Sequence, residues 1–260
     1  MIIAGWGNNK IIRSDIFYPK NEQEIIEILK KLNNEGIITR GLGRSYGDMS
    51  LYKNTLSLER YSKIFELDEK NGILNCSSNL SIAEILEKIV SKGWFLNVTP
   101  GSKYVTIGGA IANDVHGKNH HIEGSMSNYV VWVDVIQNDG SIIRCSKTDN
   151  TELFNWTIGG MGLTGIIYRA CFRFKKVKSS WITSKKVITK NLEDTIDAME
   201  NNINATYSVA WIDCISKGSS QGRSVVLLGE HSTEKDIDIS KQNLFDVKET
   251  KKISIPFFLP

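Results

Sequence analysis

Cysteine is scarce: Cys76, Cys145, Cys171 and Cys214 are the four thiols in 260 residues, far apart and without a C-x-x-C pair. That spacing argues against a zinc ribbon or a dithiol redox centre and leaves buried free thiols in a reducing compartment as the expectation. Charge of one sign is also lacking. The 32 Lys and Arg interleave with 29 Asp and Glu, for a net charge of +3, so no chain-wide positive field exists to hold nucleic acid. Long hydrophobic runs are missing too. The N-terminal MIIAGWGNNK is interrupted by Gly5, Gly7 and Lys10 before it could form a signal-peptide core or a membrane span, and no basic amphipathic anchor stands out. A cytoplasmic location is the expectation. What remains is an ordinary globular composition, 41% hydrophobic and 23% charged, long enough for one large or two modest domains.

Periodicity supplies the elements. Ile25, Ile28, Leu29 and Leu32 recur at helical spacing between Asn21, a cap, and Gly36, a stop. A β-branched run, IITR, then leads into a glycine loop. Strands are expected in NTLSLE, KIFELD and GILNCS, and a second helix follows a Ser81/Glu84 capping box with Ile82, Ile85, Leu86 and Ile89 on one face. Residues 99–127 lose any period, and an aperiodic loop of that length is usually functional. Asn138-Asp139-Gly140 marks an antiparallel hairpin. After Gly165, Tyr168, Ala170, Phe172 and Phe174 alternate with Arg169, Cys171, Arg173 and Lys175, the pattern of a half-buried strand that closes a first domain at about residue 178. From residue 179 the order is β-α-β-β. The fold class read here is α+β, with domains 1–178 and 179–260. The last residues leave Phe257, Phe258 and Leu259 uncovered, which implies a truncated or split protein or a partner chain over that end.

Three loops carry candidate chemistry. In GLGRSYGD (residues 41–48), three glycines allow successive N–H groups to converge on an anion; a plain glycine-rich turn explains the spacing equally well. It is neither a Walker A loop nor a dinucleotide fingerprint. In PGSKYVTIGGAIANDVHG (residues 100–117), small residues permit close approach to a bulky ligand while Thr106, Asn113 and His116 offer hydrogen bonds; a small-residue helix start packed on a sheet fits as well. The third, GGMGLTGI (residues 159–166), holds a literal G-x-G-x-x-G, but a strand follows it, so the Rossmann reading fails. Among the histidines a ligand-facing His116 ranks first, solvated His120 and His121 second, and zinc third; no metal site is expected.

Taken together, RGLGRSYGD, TPGSKYVTIGGAIANDVHGKNHH and GGMGLTGIIYRA resemble the vanillyl-alcohol-oxidase, or PCMH-type, FAD-binding family, a likeness that reaches from Gly5 to about Ser216. The resemblance implies a two-subdomain FAD-binding domain over residues 1–178 and the start of a substrate domain after it. It places Arg40, Gly41, Leu42, Gly43, Arg44, Ser45, Tyr46, Gly47 and Asp48 around the FAD pyrophosphate. Gly101, Thr106, Ile107, Gly108, Gly109, Asn113, Asp114, His116 and Ile166 would line the rest of the cofactor. Arg44 stands where related sugar-lactone oxidases carry a flavin-linked histidine, so the implied FAD is non-covalent. The implied reaction takes a hydride from an alcohol carbon to flavin N5, with His116 and Tyr46 as catalytic candidates or, for Tyr46, a stacking role. The implied substrate is a sugar or polyprenyl-phosphate sugar in cell-envelope or surface-polysaccharide synthesis. An aldonolactone oxidase, a non-catalytic FAD-binding subunit that needs a second chain, and a zinc hydrolase are the competing readings. The family's later lysine and tyrosine near the flavin have no counterpart in this chain.

Overall fold

The computed structural model describes residues 1–32, 35–238 and 243–246; the apolar run at Phe257, Phe258 and Leu259 lies outside them. The chain opens with a two-stranded antiparallel ribbon, β1 (Ile2–Ala4) and β2 (Ile11–Arg13). Next come β3 (Asp15–Phe17), α1 (Glu22–Leu32), β4 (Ile38–Arg40) and β5 (Asn54–Ser57); β3 and β4 both run parallel to β5, which lies between them. The Asn21 side chain accepts the Glu24 N–H at 2.9 Å, and acidic residues in the first turn and lysines in the last suit the helix dipole. Ile25 and Leu29 are buried beside Leu56, Ile136 and Ile166.

The larger sheet follows. Its elements are β6 (Phe65–Asp68), β7 (Ile73–Ser77), α2 (Ile82–Ile89), β8 (Trp94–Leu96), α3 (Ile107–Ala112), α4 (His120–Glu123), β9 (Val130–Ile136), β10 (Ile142–Ser146), α5 (Thr151–Thr157) and β11 (Ile166–Lys176). The strand order is β10-β9-β11-β7-β6, with β8 on the end of β11 and every pairing antiparallel. Both halves of the Ser81/Glu84 capping box are present, and the Asn138-Asp139-Gly140 turn closes the β9–β10 hairpin, with Gly140 at φ +85°.

Three expectations need correction. Strand β11 is central, between β7 and β9, so Ile167 and Cys171 are buried on the face expected to be solvated, while Arg173 on that face is exposed as the alternation implies. Residues 99–127 contain α3, whose period is invisible because glycine and alanine fill most of its turns; only Ile107 and Ile111 give an apolar face. Cys214 is exposed, whereas the other three thiols are buried. Burial pushes the Cys145 thiol up to about 11 and raises that of Cys76 as well, so both stay protonated and unreactive.

The last elements are β12 (Ile182–Thr189), α6 (Leu192–Glu200), β13 (Tyr207–Ile212) and β14 (Ser224–His231), an antiparallel sheet in the order β12-β14-β13 with α6 on one side. This is the β-α-β-β order read from the sequence. A polar seam joins it to the larger sheet. Lys175 pairs with Glu123 at 2.9 Å and lies over the Tyr207 ring, Tyr129 donates to Glu123, and Tyr207 Oη meets His231 Nε2 at 3.0 Å. Among the described residues no helix is long and apolar enough to cross a membrane.

Candidate cofactor site

The parallel β3-β5-β4 sheet and the larger sheet enclose a cleft of about 560 Å³, within the range of small-molecule sites. The loop after β4 forms one rim. Opposite it stand Ser57 and Leu58 after β5, the Ser78, Asn79 and Ser81 turn before α2, helix α3, and Met161, Gly162 and Gly165. Of the residues singled out from sequence, Arg40, Gly41, Leu42, Gly43, Arg44, Ser45, Tyr46, Thr106, Gly108, Gly109 and Asn113 border this cleft together.

The others do not border it. Ile107 and Ile166 are buried in the packing behind the wall. Asp48 turns outward to Lys10 at 2.7 Å. Gly101 faces open space. Asp114 accepts from the Ser127 N–H at 2.8 Å and the Ser125 hydroxyl at 2.9 Å, which fixes the next loop. Gly47 lies behind the rim, its carbonyl against Gly5. His116 is exposed, its ring 5.0 Å from that of His120. Ser57, Leu58, Lys63 and Asn79 border the cleft with no signal in the sequence; nearby only the Ser81/Glu84 pair gives one, and it reads as a helix cap.

Main-chain hydrogen bonds show what the rim offers. In α3 the donors are occupied: Ile107 N–H on Leu80 O at 2.9 Å, Gly108 N–H on Ser78 O at 2.8 Å and Gly109 N–H on Thr106 Oγ1 at 3.2 Å. Among the described residues, no main-chain N–H from residues 41–47 has a protein acceptor. Such a run of donors without protein acceptors at a concave rim could serve as an anion cradle. The charge agrees with it. Neither Arg40 nor Arg44 has a carboxylate partner among the described residues. Burial, and after it the Arg44 charge, hold the Arg40 guanidinium below its usual value, so an anion placed here would relieve the site.

Arg40 itself points away from a direct ligand role. Its guanidinium donates to Ala4 O at 2.7 Å and Ser50 Oγ at 3.1 Å, and it packs beneath Gly43, where a Cβ would collide with it. Gly41 likewise abuts the Thr106 side chain. On the far wall, Asn79 Nδ2 donates to Leu58 O at 2.9 Å and Tyr61 O at 3.0 Å, while its Oδ1 is buried without a donor. That orphaned acceptor suits a ligand amino or hydroxyl group. Leu58, Val105, Ala112 and Ile167 supply apolar lining. An anion cradle on one rim, an unfilled acceptor on the opposite wall and apolar surface between them fit a flavin dinucleotide.

The family model for the FAD binding domain matches residues 14–146, just over half of the chain. The chain therefore belongs to that FAD-binding family, and FAD is its cofactor. It is 31% identical over 237 residues to a decaprenylphosphoryl-β-D-ribose oxidase of Mycolicibacterium smegmatis, a match that covers 87% of this chain and 51% of that protein. Over 214 residues it is 25% identical to a D-arabinono-1,4-lactone oxidase of Debaryomyces hansenii, covering 76% and 36% of the two chains. A D-lactate dehydrogenase of Archaeoglobus fulgidus is 26% identical over 165 residues, 60% of this chain and 37% of that one. The chain thus spans about half the length, or less, of these relatives.

Proposed function

We propose that the chain holds FAD non-covalently and serves a cytoplasmic oxidoreductase that oxidises a secondary alcohol of a sugar or polyprenyl-phosphate sugar for cell-envelope synthesis. The observation that carries this is the row of N–H groups over residues 41–47 that have no protein acceptor, beside two guanidiniums that have no carboxylate partner, among the described residues, in a chain 31% identical to a named sugar oxidase. Those donors would hold the diphosphate, and Asn79 Oδ1 would accept from the nucleoside end. Flavin, when bound, supplies the acceptor for a hydride. Residues 41–48 contain no histidine, and Arg44 is occupied with Leu42 O at 2.7 Å, so nothing in that loop would link to the ring. Tyr46, 76% exposed at the mouth, and the exposed His116 are assigned to contact and orient the substrate. The match covers 51% of the sugar oxidase, and in this reading a further segment or a second chain completes the substrate side.

The test is the visible spectrum of the purified, FAD-loaded chain before and after acid precipitation, with released material identified by mass. FAD in the supernatant is expected. Flavin retained in the pellet rules out the non-covalent assignment, and no flavin uptake after added FAD rules out cofactor binding by this chain. Anaerobic bleaching of the flavin by a polyprenyl-phosphate pentose but not by an aldonolactone separates the sugar-oxidase reading from the lactone-oxidase reading, which the D. hansenii likeness favours.

A further inference from the structure

The first thirteen residues precede the family match, and none of them borders the cleft. They nonetheless hold the back of the 41–48 loop. The Trp6 N–H donates to Ser45 O at 2.8 Å. Arg40 reaches past Gly43 to Ala4 O. Lys10 pairs with Asp48, and the Arg44 guanidinium lies 5.3 Å from the centre of the Trp6 ring. Gly5 and Gly7 make this approach possible. A Cβ on Gly5 would fall 2.7 Å from Gly47 O and 2.8 Å from Ser45 O, and one on Gly7 would fall 2.5 Å from Tyr46 O. Neither glycine has a left-handed φ, so what requires glycine is the backbone-to-backbone contact itself.

The carbonyl oxygens of three successive loop residues, Ser45, Tyr46 and Gly47, are therefore turned against the ribbon. A loop that presents N–H groups to an anion must point its carbonyl dipoles elsewhere, since a carbonyl oxygen aimed at a phosphate repels it. We infer that residues 4–10 are a positioning clamp for the cofactor: by gathering these carbonyls, the ribbon leaves the N–H groups of the loop to the cleft. Gly5, Gly7 and the Trp6 main chain act through the loop and do not touch the ligand. The inference rests on the reading of the cleft as an FAD site.

Its test titrates the apo chain and Gly7→Ala with FAD and with riboflavin, which lacks the diphosphate, and follows the flavin fluorescence. The expected result is a Kd for FAD raised at least about tenfold, the scale of one lost charge-assisted contact, with riboflavin binding changed less than about twofold. An unchanged Kd for FAD overturns the clamp. So does an equal loss of both ligands, which marks a general packing defect. If the unaltered chain binds no FAD, the site reading falls and the clamp with it; if it binds and Gly7→Ala binds equally, the clamp alone falls. Should Gly7→Ala not be recovered folded, Gly5→Ala carries the same comparison with the same outcomes.

Discussion

The two glycine-rich loops, residues 41–48 and 159–165, look alike as sequence and use their backbones in opposite ways. The second contains the literal G-x-G-x-x-G, yet four of its seven main-chain donors are engaged inside the protein. Gly159 N–H bonds to Ile111 O at 3.1 Å, Gly160 to Thr157 O at 3.2 Å, Met161 to Ala112 O at 2.7 Å and Leu163 to Gly160 O at 3.0 Å. Gly159, Gly162 and Gly165 have φ of +75°, +80° and +138°, so these glycines serve to turn the chain and to pack it. In the first loop only Gly43 is left-handed, and the N–H groups of residues 41–47 have no protein acceptor among the described residues. Glycine spacing therefore does not identify an anion site; whether the main-chain donors have partners does.

That contrast can be broken by substitution. The largest stability effect is expected at Gly165→Ala, where φ of +138° is barred to alanine and the new Cβ would sit 2.7 Å from Ile136 O and Val135 Cγ1. A loss of about 3 kcal/mol or more follows from backbone strain plus the clash, measured by urea unfolding; Gly165 borders the cleft, so FAD affinity falls with it, but by less than at Gly43. In the first loop the balance reverses. Gly43→Ala meets φ of +65° and the Arg40 guanidinium, so we expect about 1–2 kcal/mol of destabilisation but at least about a tenfold weaker Kd for FAD. Equal affinity losses at both glycines would erase the distinction. Arg40→Ala should match Gly43→Ala in stability. It frees Ala4 O and Ser50 and loosens the loop, at about 1–2 kcal/mol, and Arg40→Lys should not restore it, because one ammonium cannot reproduce the fork to both partners.

Much of the frame was legible because it depends on local signals. The α1 and α2 periods, the Ser81/Glu84 box, the Asn138-Asp139-Gly140 turn and the β-α-β-β order all lie within short stretches. The partial burial of the second face of β11 was not legible. Arg169 looks like a solvent-facing residue in the alternation, yet its guanidinium bonds Asn75 Oδ1 at 2.8 Å and Glu66 at 3.0 Å on neighbouring strands. The far wall of the cleft was not legible for a similar reason: Ser57 and Asn79 belong to separate segments, and only the fold brings them to the same cleft as residues 41–46. Gly5 and Gly7 registered as interruptions of an apolar run, because the carbonyls they accommodate lie about forty residues later in the chain. Sequence gave the loops their glycines, but which donors were left without partners depended on long-range contacts.

The smallest expected effect lies far from both loops, and that distance makes it a control on them. His231 sits in the seam with its Nε2 facing Tyr207 Oη and its Nδ1 3.0 Å from Ser179 O, while Phe95 packs against the ring. Burial holds its pKa below the usual 6.5, the neighbouring Lys175 charge acts in the same direction, and the Ser179 contact and Glu230 oppose them. A histidine with a depressed folded pKa favours the folded state above the unfolded value, and that contribution is lost as pH falls, because the unfolded chain takes up the proton first. The melting temperature should therefore decline between about pH 6.5 and 5, with a slope below about 1.4 kcal/mol per pH unit for one proton. Carboxylates held below their usual range, Asp213 by Ser216, Ile215 and Arg223 among them, begin to lose their contribution only as pH falls to about 5, so they add to the lower end of this decline and not to its start. His116, His120 and His121 are exposed. His231→Gln should flatten the slope and leave the affinity for FAD unchanged. If the slope survives that substitution, the seam is not its source; if FAD affinity falls with it, the seam and the cleft are coupled and the separation between the loops and the rest of the chain does not hold.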